Sequence, residues 1–399
     1  MKKYLFIFSI LSFGIAWPQG TWTQKANLPD SGRYESGAFS VNGKGYVVTG
    51  RTSGSNYSND TWEYDPTNNL WTLKANYPLG GRREQVSFSI GTKGYVGTGR
   101  NAAGANKEFY EFDPVLNSWT AKANYGGIAR RDAAGCAVNG KGYIGTGQDP
   151  VSGNSKQDWW EYDPVGNTWT QKANFPDTAR NAAQALAIGS KAYLGLGRNG
   201  TNRYTGWWEY DPVGNSWTKK ANFAPGKREE TVGFSIGNIG YVGVGFDAGI
   251  KTDFWSYDPS ADTWTAIAGM SIGRDEGIAF EANGKGYVGL GQSNGGPVVD
   301  LWEYSPASGI DEDIFESTLS VYPNPVTDEL NLHFELSSFE KMCFSIFDVG
   351  GKMVKSAEKD FYAGSNDSQI NISDLKKGLY FFSVTSGKNS ETRKIEVVR

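Results

Sequence analysis

The chain has 399 residues, a formal net charge of −4 and 21% charged residues, a balance that gives no push toward nucleic acid. Its only histidine, His333, is too little for a His-based copper or zinc centre. The 52 Gly, 14 Trp, 21 Tyr and 21 Phe describe tight turns and aromatic packing, and two cysteines do not make a disulfide scaffold.

Residues 1–16 read as a secretory signal. Lys2 and Lys3 precede an apolar run from Tyr4 to Ile15 that is too short to span a bilayer, and Gly14-Ile15-Ala16 places small residues where a peptidase reads. No cysteine follows the run to carry a lipid, and no other segment is long and apolar enough to span.

From there a repeat takes over. Trp22, Trp71, Trp119, Trp169, Trp217 and Trp264 are each followed by Thr, at spacings of 49, 48, 50, 48 and 47 residues. A period near 50 built from short aromatic and Gly-rich segments is the signature of a β-propeller with one blade per repeat. Residues 33–75 show a whole unit. Ser36–Val41 is an inner strand, Asn42-Gly43 a hairpin turn, and Tyr46–Thr49 a second strand. A polar loop over 50–60 leads to a third strand, Thr61–Asp65, then a turn at Pro66 and a fourth strand, Leu70–Lys74. The chain begins with a lone fourth strand, Thr21–Ala26, and the repeat ends after three strands at Tyr304. The N-terminal strand therefore completes the last blade, giving an all-β, six-bladed propeller over residues 20–306 with no free sheet edge.

The Gly45-Tyr46 strand, the Tyr64-Asp65-Pro66 turn and the Asn69-Leu70-Trp71-Thr72 strand resemble the kelch repeat. Kelch blades carry two adjacent glycines after the second strand. Here the equivalents are Val48-Thr49-Gly50, Gly97-Thr98-Gly99, Gly145-Thr146-Gly147 and their counterparts, a divergent form. The repeated Trp residues read as blade packing rather than as a sugar platform.

Candidate ligand-binding residues come from the start of each blade. Arg33, Arg82, Arg130, Arg180, Arg228 and Arg274 each stand six residues before the middle of an inner strand. Two residues further on come Glu35, Glu84, Asp132, Glu230 and Glu276, with Ala182 in the fourth blade. Residues two apart in a strand share a face, so guanidiniums and carboxylates are expected to line one mouth of the central channel together. Either they clamp adjacent blades, or they form a charge-matched pocket for an anionic or hydroxyl-rich ligand. Arg180, without an acid two residues on, and the additional Arg83 and Arg131 favour the pocket locally. The loops from second to third strands emerge on the same face and contain Tyr57 and Tyr204.

After Ser305-Pro306 an acidic, small-residue stretch, 307–317, reads as a linker. Seven short alternating strands follow within residues 318–399, which implies a small Ig-like β-sandwich. Val321-Tyr322-Pro323-Asn324-Pro325, Ile346-Phe347-Asp348-Val349-Gly350-Gly351-Lys352, Leu375-Lys376-Lys377-Gly378-Leu379-Tyr380-Phe381 and Lys394-Ile395-Glu396-Val397-Val398 resemble the type IX secretion system sorting domain. That resemblance implies partnership with the secretion machinery, export across an outer membrane and removal of the tail.

A Ser–His–Asp triad is excluded from the propeller, and no Gly-rich phosphate loop or Asp-rich calcium loop is found. No cofactor or metal is expected. The reading is a secreted or surface propeller that binds a glycan or an extracellular protein. Two alternatives stay open. Kelch propellers that resemble sialic-acid mutarotases use Arg and carboxylate groups without a metal, which implies a carbohydrate isomerase with an acid and a base at the channel mouth. The other is a purely structural surface protein. No catalytic residue is assigned.

Overall fold

The computed structural model describes residues 20–306, 319–336, 340–361, 364–386 and 389–398. The expected leader (1–16) and linker (307–317) lie outside the described residues. Two compact units divide the chain, one spanning Gln19–Pro306 and the other holding the tail.

Six four-stranded antiparallel sheets build the larger unit. The first runs outward through Gly37–Val41, Lys44–Val48, Thr61–Asp65 and Leu70–Lys74. Four more repeat it in chain order. The last joins both ends of the repeat: Ile278–Ala282, Lys285–Gly289 and Leu301–Ser305, with Thr21–Lys25 paired on the outside so that Trp22 lies opposite Tyr304. Each inner strand packs against that of the next sheet, and Ile278–Ala282 packs against Gly37–Val41, so the series returns on itself.

Inner strands alternate with period two. Gly37, Phe39 and Val41 are buried between sheets, while Ala38 and Ser40 take the opposite face. The other sheets place small residues at the same two positions, except that the last has Glu281 at the second. They surround an axial cavity of ≈ 210 Å³ lined by Ser40, Ser87, Ser89, Gly135, Ala137, Ala187 and Ser235 among others. Serines stitch neighbours there: the Ser87 hydroxyl donates to the Ala38 carbonyl at 2.9 Å, and that of Ser235 to Ala187 at 2.7 Å.

At the outside, the repeated Trp and Asn explain themselves. The Trp71 indole donates to the carbonyl of Ala26 in the preceding sheet at 2.8 Å, and Trp119, Trp169, Trp217 and Trp264 repeat this on Ala75, Ala123, Ala173 and Ala221. Asn69 adopts φ = 54°, a region Asn tolerates, and its Oδ1 accepts from the Ala26 amide and the Tyr64 hydroxyl. Trp22 closes the series on Ala268 at 2.7 Å. The tryptophans are packing elements that tie each sheet to its neighbour.

Both residues of the kelch-like turn are left-handed. Thr98 (φ = 61°) and Gly99 (φ = 76°) follow each other, and a Cβ on Gly99 would stand 2.5 Å from the Arg83 carbonyl oxygen. The second position must be glycine, while the first tolerates Thr, Leu or Val at a cost of about 1 kcal/mol or more.

The tail has a three-stranded sheet (Ser320–Tyr322, Glu329–Leu336, Gly364–Asn371) and a four-stranded one (Met353–Phe361, Glu340–Asp348, Gly378–Ser386, Asn389–Val397). Leu330, Leu332, Phe344, Ile346, Phe382 and Ile395 form its core. Cys136 and Cys343 are both free.

Candidate functional site

The arginines are not where alternation alone would put them. The inner strand of the first sheet opens at Gly37, four residues after Arg33, which belongs to a short ladder with Arg51–Thr52. Between them Glu35 turns left-handed, at φ = 55°. That break removes the shared face. Arg33, Arg82, Arg130, Arg180, Arg228 and Arg274 are all buried inside their sheets, at 0–3% exposure.

Their partners are also different. Arg130 makes a two-pronged pair with Asp158, at 2.7 Å to each oxygen, and donates to the Thr146 carbonyl at 2.7 Å. Arg274 does the same with Asp300 and Leu290, Arg228 with Asp253 and Val244, and Arg33 with Asp60 and Thr49. Arg82 takes Glu108 at 3.3 Å. The acid is the residue just before each third strand, a regular signal in the sequence that the i+2 pattern obscured. In the fourth sheet that place is Gly206, yet Arg180 is not left alone: Asp177 pairs with it at 2.7 Å, and Phe175 and Tyr204 stack on its two sides. These six arginines clamp the fold; they do not present a ring to solvent. The pairing carboxylates answer accordingly. Burial pushes Asp60 up, but the hydrogen bond and charge of Arg33 outweigh it and hold it at about 2.

The acids do reach the axis. The Glu84 amide donates to the Glu35 carbonyl at 3.1 Å, Asp132 to Glu84 at 3.3 Å, Ala182 to Asp132 at 3.0 Å, and Glu230 to Ala182 at 3.1 Å. The Glu35 amide donates to Glu276 across the first and last sheets at 2.9 Å. All six of these residues have φ between 52° and 60°. A backbone belt thus holds five carboxyl side chains around one mouth of the channel. Oxygens of Glu35, Glu84 and Asp132 lie within 4.8 Å of one another.

Around this belt stands a second tier that sequence reasoning only partly found. Arg83 pairs with Glu35, Arg100 with Glu84 at 2.8 Å, and Arg131 lies 3.4 Å from Glu84 and 3.8 Å from Asp132. Glu229, buried, takes Arg198 at 2.8 Å and Arg203 at 2.6 Å. Asp275 occupies the equivalent place in the last sheet. Arg83, Arg131, Glu229 and Asp275 each follow one of the six buried arginines by one residue, and that position bridges the loop after the second strand: Arg83 to Arg100, Asn181 to Arg198, Asp275 to Gln292. That is why Arg83 and Arg131 meet the mouth when Arg82 and Arg130 do not. Tyr57 and Tyr204 each carry a guanidinium over the ring, of Arg83 and Arg180 respectively.

Burial and mutual repulsion shift the acids upward. Desolvation, then the charges of Asp132 and Glu35, push Glu84 to about 9. Desolvation and Glu229 push Glu230 to about 8. Desolvation and Glu35 push Glu276 to about 10, whereas Asp132 stands at about 6. Burial and like charge thus raise all four of these carboxyls above the ordinary carboxylate range.

Residues 320–398 match the model of the secretion system C-terminal sorting domain, and residues 32–76 match the kelch motif. The chain thus carries a kelch motif in its larger unit and a secretion sorting domain as its tail. Such a tail places the protein at the cell surface or outside the cell and makes the type IX secretion machinery its partner. No helix among the described residues is long and apolar enough to cross a membrane. No curated protein matches the chain. A solved structure titled "Structure of YjhT" aligns with a TM-score of 0.60 at 18% identity, covering 69% of this chain and 96% of that one. At that identity the likeness concerns the fold alone.

Proposed function

We propose that the six sheets are the blades of one ring closed by the N-terminal strand, that residues 20–306 are the working domain, and that 318–399 form an Ig-like export module behind a cleaved leader and a linker. The returning series of inner strands and the division of the chain at Pro306 support this. We further propose that the ring binds a glycan at the mouth where Glu35, Glu84, Asp132, Glu230 and Glu276 converge. One observation carries the reading: a belt of left-handed residues, each costing backbone strain, holds five carboxyls, four of them beside the guanidiniums of Arg83, Arg100, Arg131 and Arg198. Acid and guanidinium side by side supply acceptor and donor together, which sugar hydroxyls satisfy.

The test is a melting series on the mature protein with neutral, acidic and sulfated oligosaccharides. A ligand that binds only the folded state raises the melting temperature, and Glu84→Gln should abolish the rise. If no glycan shifts the transition, the glycan reading fails and an extracellular protein becomes the ligand to seek. A catalytic second reading, a metal-independent sugar isomerase of the mutarotase type, draws on the belt itself, which sets several carboxyls around one mouth, with burial and neighbouring acids raising Glu276 further than Asp132. Faster anomeric exchange of a bound sugar, followed by NMR and lost in Glu276→Gln, would select it.

A further inference from the structure

Countercharge is unevenly spread around the mouth. On one side Glu35, Glu84 and Asp132 face Arg83, Arg100 and Arg131. On the other, Asp275 and Glu276 have no cationic partner among the described residues, and Glu230 has only Arg198, 3.8 Å away. Asp275 is nine-tenths buried at 9% exposure, and its Oδ1 has no hydrogen-bond partner. Its own amide is taken by the Gln292 carbonyl, at 3.1 Å. Its backbone bridges Gln292 as Arg83 bridges Arg100 and Arg131 bridges Gln148, the position from which Arg83 and Arg131 reach the belt acids. A buried acceptor left unmade is costly, and this quadrant is shaped for a donor that arrives from outside.

The chemistry of that donor can be narrowed. A bare divalent ion needs oxygens that converge tightly. Among the described residues the trio that does so is Glu35, Glu84 and Asp132, and guanidiniums already neutralise it. The Asp275 side is more widely spaced, which suits an ammonium whose three N–H groups reach separate acceptors.

We propose that Asp275, Glu276 and Glu230 form a subsite for the protonated amine of an aminated sugar, whose hydroxyls are taken by the Arg-paired acids opposite. This rests on the glycan reading above. A sugar fits better than a lysine side chain because the opposite half sets acceptors beside donors, Glu35 with Arg83 and Glu84 with Arg100, a pattern that hydroxyls satisfy and an alkyl stem does not. Burial and neighbouring acids drive Glu276 up to about 10, and an ammonium beside it would reverse that shift.

Isothermal titration of the whole mature protein tests this, with a chitosan tetrasaccharide against its fully N-acetylated counterpart at mildly acidic pH. The aminated ligand should bind about tenfold tighter or better, and Asp275→Asn with Glu276→Gln should bring the two within about twofold. Equal binding of both, lost in Glu84→Gln, overturns the ammonium subsite and leaves the glycan site standing. Binding of neither overturns both. Hexalysine binding that depends on Asp275, with no binding of the aminated sugar, overturns the choice of sugar and assigns the subsite to a basic peptide.

Discussion

Arg130→Met separates the structural arginines from the functional acids. Arg130 is fully buried, and its guanidinium meets both oxygens of Asp158 and the Thr146 and Ile128 carbonyls. Methionine keeps much of the stem's bulk but leaves a largely buried carboxylate uncompensated, a loss of about 3–5 kcal/mol. Unfolding entropy of about 2.1 cal/mol/K per residue gives a unit of this length roughly 0.6 kcal/mol/K, so the melting temperature should fall by about 5–8 °C. Arg131→Met is the contrast: its ion pairs are long, at 3.4 and 3.8 Å, and its side chain is 26% exposed. It should cost under about 1 kcal/mol and act on ligand binding instead. Replacing both partners, Arg130→Met with Asp158→Leu, should recover most of the loss, because apolar pairs often match a buried ion pair. Calorimetry of the full chain reads all three. If Arg130→Met melts within about 1 °C of the parent, the clamp reading is wrong and the ring arginines return as ligand candidates.

Three further outcomes follow from the same geometry. Glu84, Glu230 and Glu276 hold their protons more tightly folded than unfolded, so their stabilisation is complete below about pH 4 and is lost as pH rises through about 8 to 10. Melting temperature should therefore fall from mildly acidic to mildly alkaline pH, and Glu276→Gln should flatten that slope; an unchanged slope would remove Glu276 from the belt's titration. Asn167→Ala removes the acceptor of both the Ala123 amide and the Tyr162 hydroxyl and forces alanine into φ = 50°, so it should cost about 2 kcal/mol, whereas Asn167→Asp should be near neutral because Asp262 fills that role in the fifth sheet. Deleting residues 20–26 strips the outer strand from Leu301–Ser305 and exposes a sheet edge, and size-exclusion chromatography should show dimers or aggregates in place of monomer.

The fold was legible because every blade repeats the same physical needs. Trp71 and its equivalents fixed the period, Asn42-Gly43 fixed a hairpin, and the unpaired ends of the repeat pointed to the Thr21–Lys25 pairing with Leu301–Ser305. The outer asparagines, left-handed and doubly bonded, were visible as letters but not as a role, since their donors lie in another sheet some forty residues away.

The site was harder for a local reason. Alternation holds only while φ stays extended, and a left-handed residue such as Glu35, which is common for glycine and unusual for glutamate, inverts which neighbours share a face. One such residue per sheet buries Arg33 and its equivalents and leaves Glu35 and its equivalents on the belt, so an expected mixed ring of guanidiniums and carboxylates becomes a belt of five carboxyls. A face that alternation predicts to attract acidic sugars through Arg180 instead keeps Arg180 between Phe175 and Tyr204 and offers acids, half of them already neutralised. Repetition supplies the belt, and departures from repetition make it asymmetric: Ala182 removes one acid, while Asp275 stands where Arg83 and Arg131 stand in their sheets. Ligand preference should therefore follow the differences between blades, and substitutions at Asp275 should alter it more than substitutions at any position common to all six.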